Sequence, residues 1–285
     1  MHDNLFTENL KQSTGMRIFL FLIIFLIGTL IGAAVSALFV SGGDTGMKIG
    51  QGVASIFMFV VPPIVYYYIT RKENRMQALG LRRLSSPWWL IIVALALMFV
   101  SIPVTTTLTT WNESMHLGGA FSGIEKWMKE LEETAQALTD KMTNVDTIGG
   151  LLLNLLVIAL IPAVGEEMTF RGVIQQSLTR RMNPHIAIIL SAAIFSFFHF
   201  QFFGFFPRLF LGILLGYMFY ITSSLWTSIL MHFVNNGAAV TLYYLGNIGV
   251  IEDAEHWGET QNVWIIVASA VMTLGLIIWS WRKRK

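Results

Sequence analysis

Residues 209–251 read LFLGILLGYMFYITSSLWTSILMHFVNNGAAVTLYYLGNIGVI and contain no Asp, Glu, Lys or Arg. The one side chain in this stretch that can carry a charge near neutral pH is His232. A helix rises about 1.5 Å per residue, so about 20 apolar residues cross the hydrocarbon layer of a membrane. These 43 residues are too many for one crossing, and Thr222, Ser223 and Ser224 offer a place for a turn. The stretch therefore predicts two consecutive membrane spans.

The composition of the whole chain agrees with this prediction. Of its 285 residues, 54% are hydrophobic and 13% are charged, and the mean hydropathy is +0.62. Soluble domains carry about 25% charged residues, so most of this chain faces lipid. The net charge of +2 gives no indication of a nucleic-acid partner. Cysteine is absent, which excludes disulfide bonds, a thiolate nucleophile and a cysteine-ligated metal.

Further stretches of the chain also have enough apolar length to cross a membrane. They are residues 18–40, 49–70, 84–112, 147–165, 184–207 and 260–281. Small residues near Ala34 resemble a signal-peptide cleavage site. The apolar run, however, exceeds the roughly 7–15 residues of the hydrophobic region of a signal peptide, so we interpret residues 18–40 as an uncleaved span. The sequence thus predicts an all-α, polytopic transmembrane bundle of about eight spans, forming one integral membrane domain over residues 1–285.

The basic residues predict the orientation of this bundle, because Lys and Arg are enriched in cytoplasmic loops. With a cytoplasmic N-terminus, 13 of the 19 Lys and Arg residues fall on the cytoplasmic side. These are Lys11, Arg17, Arg71, Lys72, Arg75, Arg82, Arg83, Arg180, Arg181 and residues 282–285. Arg208 is assigned to the outer side. An even number of spans also places both termini together, so we predict that both are cytoplasmic.

The acidic residues concentrate on the predicted outer side. Residues 111–146 carry seven acids and three lysines, and their apolar residues recur at helical spacing from Phe121 to Leu138. We expect an amphipathic helix over about residues 120–142, on the outer face of the bundle. Whether it is a solvated surface helix or a functional lid stays open.

A first group of polar residues within apolar sequence is GEEMTFRG, residues 165–172. Ionisable groups inside a membrane cost roughly 2.5–3.5 kcal/mol each, so each needs a reason. Glu167 and Arg171 are four residues apart and can pair on one helix face. Glu166 lies about 100° further round the helix, free to do chemistry. Pro162 is expected to kink or open the helix just before it. A salt-bridge cluster at the membrane face is the alternative.

Two further groups are FSFFH, residues 195–199, and HFVNN, residues 232–236. His232 and Asn236 project from one face, whereas Asn235 is expected to point elsewhere, as a packing or capping residue. Each group alone could be structural, because histidine and asparagine also hydrogen-bond between membrane helices. Ideal helices place Glu166 and His199 each roughly 21 Å from the cytoplasmic side, and His232 at a similar depth. We therefore expect one site, open to the cytoplasm.

Such a set of side chains suffices for amide hydrolysis. A carboxylate beside an imidazole can take a proton from water, and a second histidine with an asparagine amide can stabilise an oxyanion. A serine nucleophile is disfavoured, because no G-x-S-x-G turn surrounds Ser196 or any other serine. Two histidines and a glutamate could also hold zinc, but the H-E-x-x-H spacing is absent.

The three groups resemble the motifs of a known family, the CAAX protease and bacteriocin-processing (CPBP, or Abi) family of intramembrane glutamic endopeptidases. The matching patterns are E-E-x-x-x-R at Glu166, Glu167 and Arg171, F-x-x-x-H at Phe195 and His199, and H-x-x-x-N at His232 and Asn236. They lie within residues 151–245, which would form the catalytic core. Each motif is weak alone, but their order and spacing are specific.

The resemblance implies a role for each of these residues and requires no metal or cofactor. Glu166 would be the general base, His199 would position the water, and His232 and Asn236 would form the oxyanion hole. Glu167 and Arg171 would support the site electrostatically. The partner would be a peptide or membrane-protein substrate, reached within the lipid bilayer of a bacterial inner membrane.

Three other functions stay open at this point. The polar groups could hold helices together in a non-catalytic scaffold or a bacteriocin self-immunity protein. They could form a proton relay in a transporter, which would show uptake driven by a pH gradient. They could belong to a zinc-dependent peptidase, which chelation would inactivate.

Overall fold

The computed structural model describes residues 14–83, 86–254 and 256–283. Residues 84–85, where one predicted span begins, lie outside this part, as do Lys11, Arg284 and Lys285 of the orientation count. Helices and short connections make up the described residues, and no β-strand occurs among them. The predicted all-α class is confirmed.

The helices follow one another with short connections. Their bounds are α1 Thr14–Ser36, α2 Gly43–Ser55, α3 Val61–Thr70, α4 Arg75–Leu79, α5 Trp89–Val100, α6 Ile102–Glu113, α7 Ser122–Thr143, α8 Ile148–Asn154, α9 Ile161–Glu166, α10 Gln176–Thr179, α11 Pro184–Phe197, α12 Phe205–Thr222, α13 Leu225–Asn247 and α14 Val263–Arg282. Wide π-helical segments join α2 to α3 (Ile56–Val60), α8 to α9 (Leu155–Leu160) and α9 to α10 (Glu167–Gln175). Short 3₁₀ segments occupy Ala37–Gly42, Gly119–Phe121 and Phe202–Gly204.

The count of eight spans is not confirmed. Four helical runs of the described chain are long and apolar enough to cross a membrane, namely Gly15–Thr70, Ile148–Thr179, Phe202–Thr222 and Val263–Arg282. The pair α5–α6, bent by 41°, gives a fifth if it is one span. Helix α11 has only 14 residues, and α13 is made more polar by His232, Asn235 and Asn236. A helix that carries site residues is thus less apolar than a plain membrane span.

Prolines connect the helices through carbonyl groups that they leave without a helical donor. A proline has no N–H, so the carbonyl four residues earlier loses its partner. Pro63 leaves the carbonyl of Phe59, which accepts a hydrogen bond from Thr169 Oγ1 at 3.0 Å. Pro162 leaves the carbonyl of Ile158, 3.4 Å from Asn236 Nδ2. Both prolines follow a π-helical segment. The helix is therefore widened just before Pro162, where the sequence predicted a kink or an opening.

One end of the bundle carries most of the arginines. We call it the arginine-rich end and define it by the connections 71–83, 180–183 and 222–225. The Leu225 N–H donates to the Gly80 carbonyl at 2.9 Å, and Gln176 Nε2 donates to the Leu79 carbonyl at 2.9 Å. Trp281, near the end of α14, packs on His185 at 5.0 Å between ring centroids. The C-terminal helix therefore also ends here.

The opposite end, which we call the capped end, comprises residues 114–147, 200–204, 248–254 and 256–262. The predicted amphipathic helix lies here as α7. Lys141 Nζ is 3.3 Å from Asp44 Oδ1, and Asn247 Nδ2 donates to the Thr143 carbonyl at 2.8 Å. Helix α7 is thus fastened to both α2 and α13 across the end of the bundle.

The start of α7 is fixed by Glu125. Its carboxylate accepts hydrogen bonds from Lys129 Nζ at 2.8 Å and from the N–H groups of Leu117 and Gly118. The hydrogen bond from Lys129, then those from Gly118 and His116, lowers the pKa of Glu125 to about 2. The carboxylate therefore stays ionised, and keeps α7 joined to the preceding loop, at any pH near neutral.

Candidate active site

A buried ion pair lies at the centre of the polar residues. Arg171 Nη1 is 2.7 Å from Glu167 Oε1, and the exposed fractions of the two side chains are 1% and 0%. The second guanidinium nitrogen, Nη2, donates to the Gly212 carbonyl of α12 at 2.9 Å. This carbonyl is within reach because Gly212 has no side chain, since a Cβ here would lie 2.9 Å from the Cβ of Ala192. The sequence-based pairing of Glu167 with Arg171 is thus observed.

His232 extends this ion pair toward the second carboxylate. Its Nδ1 lies 2.9 Å from Glu167 Oε1, and its Nε2 lies 3.8 Å from Glu166 Oε2. An ionised carboxylate only accepts hydrogen bonds, so Nδ1 carries the hydrogen. The ring is therefore held in one orientation, with Nε2 facing Glu166.

Glu166 occupies a different environment from its neighbour. Its side chain is 12% exposed and lines a cavity of about 410 Å³, whereas Glu167 is fully buried. His199 and Asn236 line the same cavity. Adjacent residues of a helix point in different directions, so one carboxylate is held in the network and the other faces space that a substrate can occupy.

Phe195 explains why a phenylalanine precedes His199 by four residues. Its ring lies against His199 at 5.0 Å and His232 at 5.8 Å between centroids. The Arg171 guanidinium lies 4.7 Å from the same ring centroid, a cation–π contact. The Phe195 carbonyl is also 2.9 Å from His199 Nδ1. One aromatic residue thus positions three polar side chains.

The asparagines of α13 act together. Asn235 Nδ2 donates to Asn236 Oδ1 at 3.2 Å, and both residues line the cavity. The expectation that Asn235 points away from the site was wrong, because α13 presents both amides to the space beside Ile158. Among the described residues, Asn236 Nδ2 donates one long hydrogen bond, to the Ile158 carbonyl, so its second N–H remains available to a ligand.

Arg208 was missed as a site residue. The sequence assigned it to the outer side as one of several scattered basic residues, yet it lines the cavity with Glu166 and His199. Its only signal is its position nine residues after His199, at the start of the next helix. Ser196, in contrast, donates its hydroxyl to the Phe205 carbonyl at 2.7 Å and is fully buried.

The cavity extends from Glu166 toward the capped end. On the run 148–179 its lining residues, among them Val157 and Ile158, precede Glu166, and on α13 they follow His232. Helix α7 contributes Leu138, Thr139 and Met142. No group of three or more His, Asp or Glu side chains that could hold a metal occurs in the described part of the chain. The predicted opening to the cytoplasm is not confirmed.

Replacing Arg171 by Met is expected to destabilise the protein by about 3–5 kcal/mol, because it leaves the Glu167 carboxylate buried without its cation. Thermal and denaturant unfolding in detergent micelles measure the effect. The control is Lys126→Met, which removes the exposed pair with Glu130 at 3.8 Å and should change stability by less than about 0.5 kcal/mol. Equal effects of the two substitutions would contradict a structural role of the buried pair.

The comparisons with known proteins agree with the motifs. The model of one family, described as Rce1-like, type II CAAX prenyl endopeptidase, matches residues 148–238, about a third of the chain. No curated protein and no solved structure matches the chain. The matched residues include every motif residue from Glu166 to Asn236. Over residues 148–238, therefore, the chain is similar to the Rce1-like family of type II CAAX prenyl endopeptidases.

Proposed function

We propose that the protein is an intramembrane endopeptidase in which Glu166 activates the attacking water. The observation that carries this proposal is the unequal environment of the two carboxylates. Glu167 is fully buried and bound to Arg171 and His232, while Glu166 faces the cavity with His232 Nε2 at 3.8 Å. The matching family model is named for a CAAX prenyl endopeptidase, which supports peptide-bond hydrolysis in a membrane.

In the proposed reaction Glu166 takes a proton from water while the water oxygen bonds to the peptide carbonyl carbon. His199 helps to position the water, because it lines the cavity beside Glu166. The oxyanion accepts hydrogen bonds from the Asn236 amide and from His232 Nε2, which donates when the imidazole is doubly protonated. Collapse of the intermediate breaks the C–N bond, and the proton held by Glu166 passes to the leaving amine.

The substrate class follows from the site and its surroundings. We propose that a peptide or a segment of a membrane protein enters the cavity, and that residues 151–245 form the catalytic core of one membrane domain. A bacterial inner membrane is the proposed location. The residues that line the cavity form no basic surface that would suit a nucleic acid.

Replacing Glu166 by Gln keeps the shape of the side chain and removes the base, so we expect hydrolysis to fall by about 10²–10⁴-fold. Hydrolysis of a mixture of synthetic apolar peptides by the purified protein, followed by mass spectrometry, measures the change. The matched control is Glu73→Gln at the exposed arginine-rich end, which should retain full activity.

Two results would contradict this mechanism. One is a folded Glu166→Gln protein that hydrolyses peptides as fast as the unchanged chain or, as a scaffold or immunity role would allow, keeps its phenotype in cells. The other is activity that a chelator abolishes and zinc restores, which would favour the zinc-dependent alternative.

The side from which the site is reached needs a choice between two of the sequence-based predictions. The cavity extends toward the capped end, while α14 ends at the arginine-rich end. If the cavity opens at the end toward which it extends, cytoplasmic termini exclude a cytoplasmic opening. We propose that the arginines indicate the orientation, because Lys and Arg are enriched in cytoplasmic loops. The cavity then opens on the side opposite the cytoplasm, and the termini stay inside.

The absence of cysteine allows a direct test of this orientation. A single cysteine at Leu138, an exposed residue of α7 that lines the cavity, should react with a membrane-impermeant maleimide in intact cells. A cysteine at Glu73, exposed at the arginine-rich end, should react only after the cells are permeabilised. The reverse pattern would place the cavity on the cytoplasmic side.

A further inference from the structure

Arg208 is a half-buried cation that the proposed mechanism does not use. It lies in the first turn of α12 and lines the cavity that contains Glu166. A charged group in such a place is costly unless an opposite charge or several hydrogen bonds compensate it. The groups that contact Arg208 therefore indicate which kind of ligand the cavity can bind.

The contacts of Arg208 leave part of its guanidinium unpaired. Nη1 donates to Gln201 Oε1 at 3.1 Å, and Nη2 donates to the Gln201 carbonyl. Nε is buried and has no hydrogen-bond partner among the described residues. None of the carboxylates described lies within ion-pair distance of it, although Glu132 and Glu166 act on it from farther away. Arg208 thus has a full charge without an adjacent counter-charge.

The surrounding structure holds the guanidinium in place. It lies against Gly204 so closely that a Cβ there would be 2.6 Å from Nη2. Asn112 of α6 fastens the same turn, donating to the Phe202 carbonyl at 3.1 Å and accepting from the Phe206 N–H at 2.9 Å. Glu132 of α7 accepts from the Phe203 N–H at 3.2 Å. Residues of α6 and α7 thus hold the turn that precedes Arg208 in α12. A side chain that is held in this way loses little freedom when it binds a ligand.

We propose that Arg208 binds a carboxylate of the substrate peptide and so determines which peptides are cut. A guanidinium is suited to this, because its planar N–H groups match a carboxylate. The carboxylate is either the C-terminus of the peptide or an acidic side chain beside the cleaved bond. This inference rests on the proposed function, since the carboxylate belongs to the peptide that Glu166 attacks.

Binding is measured first, so that the test does not depend on hydrolysis. The Glu166→Gln protein is titrated with fluorescent short apolar peptides that end in a free carboxylate or in a carboxamide, and with a third set that is amidated and contains one Glu. We expect at least one carboxylate-bearing set to bind about tenfold to a hundredfold more tightly than the neutral set. Arg208→Gln should abolish that preference, and Arg208→Lys should keep part of it.

Gln201→Ala is the matched control, because it removes the side-chain partner of Nη1 and leaves the positive charge in place. It should preserve the preference for a carboxylate. Equal binding of all three peptide sets, or equal loss of preference in the Arg208→Gln and Gln201→Ala proteins, would overturn the proposal. A preference for the free C-terminus and a preference for Glu identify the two sources of the carboxylate.

Hydrolysis by the unchanged chain separates this inference from the proposed function. With Glu166 present, Arg208→Gln should raise KM for the preferred peptides by the factor by which it weakens their binding, while kcat changes little. A carboxylate preference in binding without any hydrolysis would refute the protease and keep the anion site. Hydrolysis without a carboxylate preference would support the protease and refute the anion site.

Discussion

The ion pair between Glu167 and Arg171 is the interaction on which the rest of the site depends. Both side chains are removed from water inside an apolar bundle, where an unpaired charge would be costly. Arg171 compensates by reaching the Gly212 carbonyl, and Glu167 by accepting from His232. Three helical segments are therefore brought together to satisfy two charges, and the histidine that faces Glu166 is fixed as a consequence.

This constraint also separates two carboxylates that are adjacent in sequence. The π-helical segment that begins at Glu167 directs this residue into the core, while Glu166 ends α9 and faces the cavity. Wide helical turns are frequent at functional sites, because they change which side chains share a face. Pro162 contributes by leaving a carbonyl that Asn236 approaches. Backbone irregularities and buried charges thus act together to place the polar groups.

The sequence predicted the class of fold, the α7 helix and the meeting of Glu166, His199 and His232, since charge-free runs and four-residue spacings depend only on local chain geometry. It did not predict that Asn235 and Arg208 line the cavity. Their positions depend on how α12, α13 and the turn at residues 201–204 pack, which no periodicity encodes. The direction of the cavity was also beyond the sequence, because depths along ideal helices do not reveal which end the packed residues close.

The state of His232 is the most direct test of this account, because Glu167 is expected to fix its tautomer. Solid-state NMR of the protein with ¹⁵N-labelled histidine in lipid bilayers, near neutral pH, reports which ring nitrogens carry hydrogen. The His232→Asn protein assigns the resonance. The account predicts a hydrogen on Nδ1 of His232, and its loss from Nδ1 in the Glu167→Ala protein. A ring with hydrogen on Nε2 alone would contradict it, since Nδ1 could then not donate to Glu167.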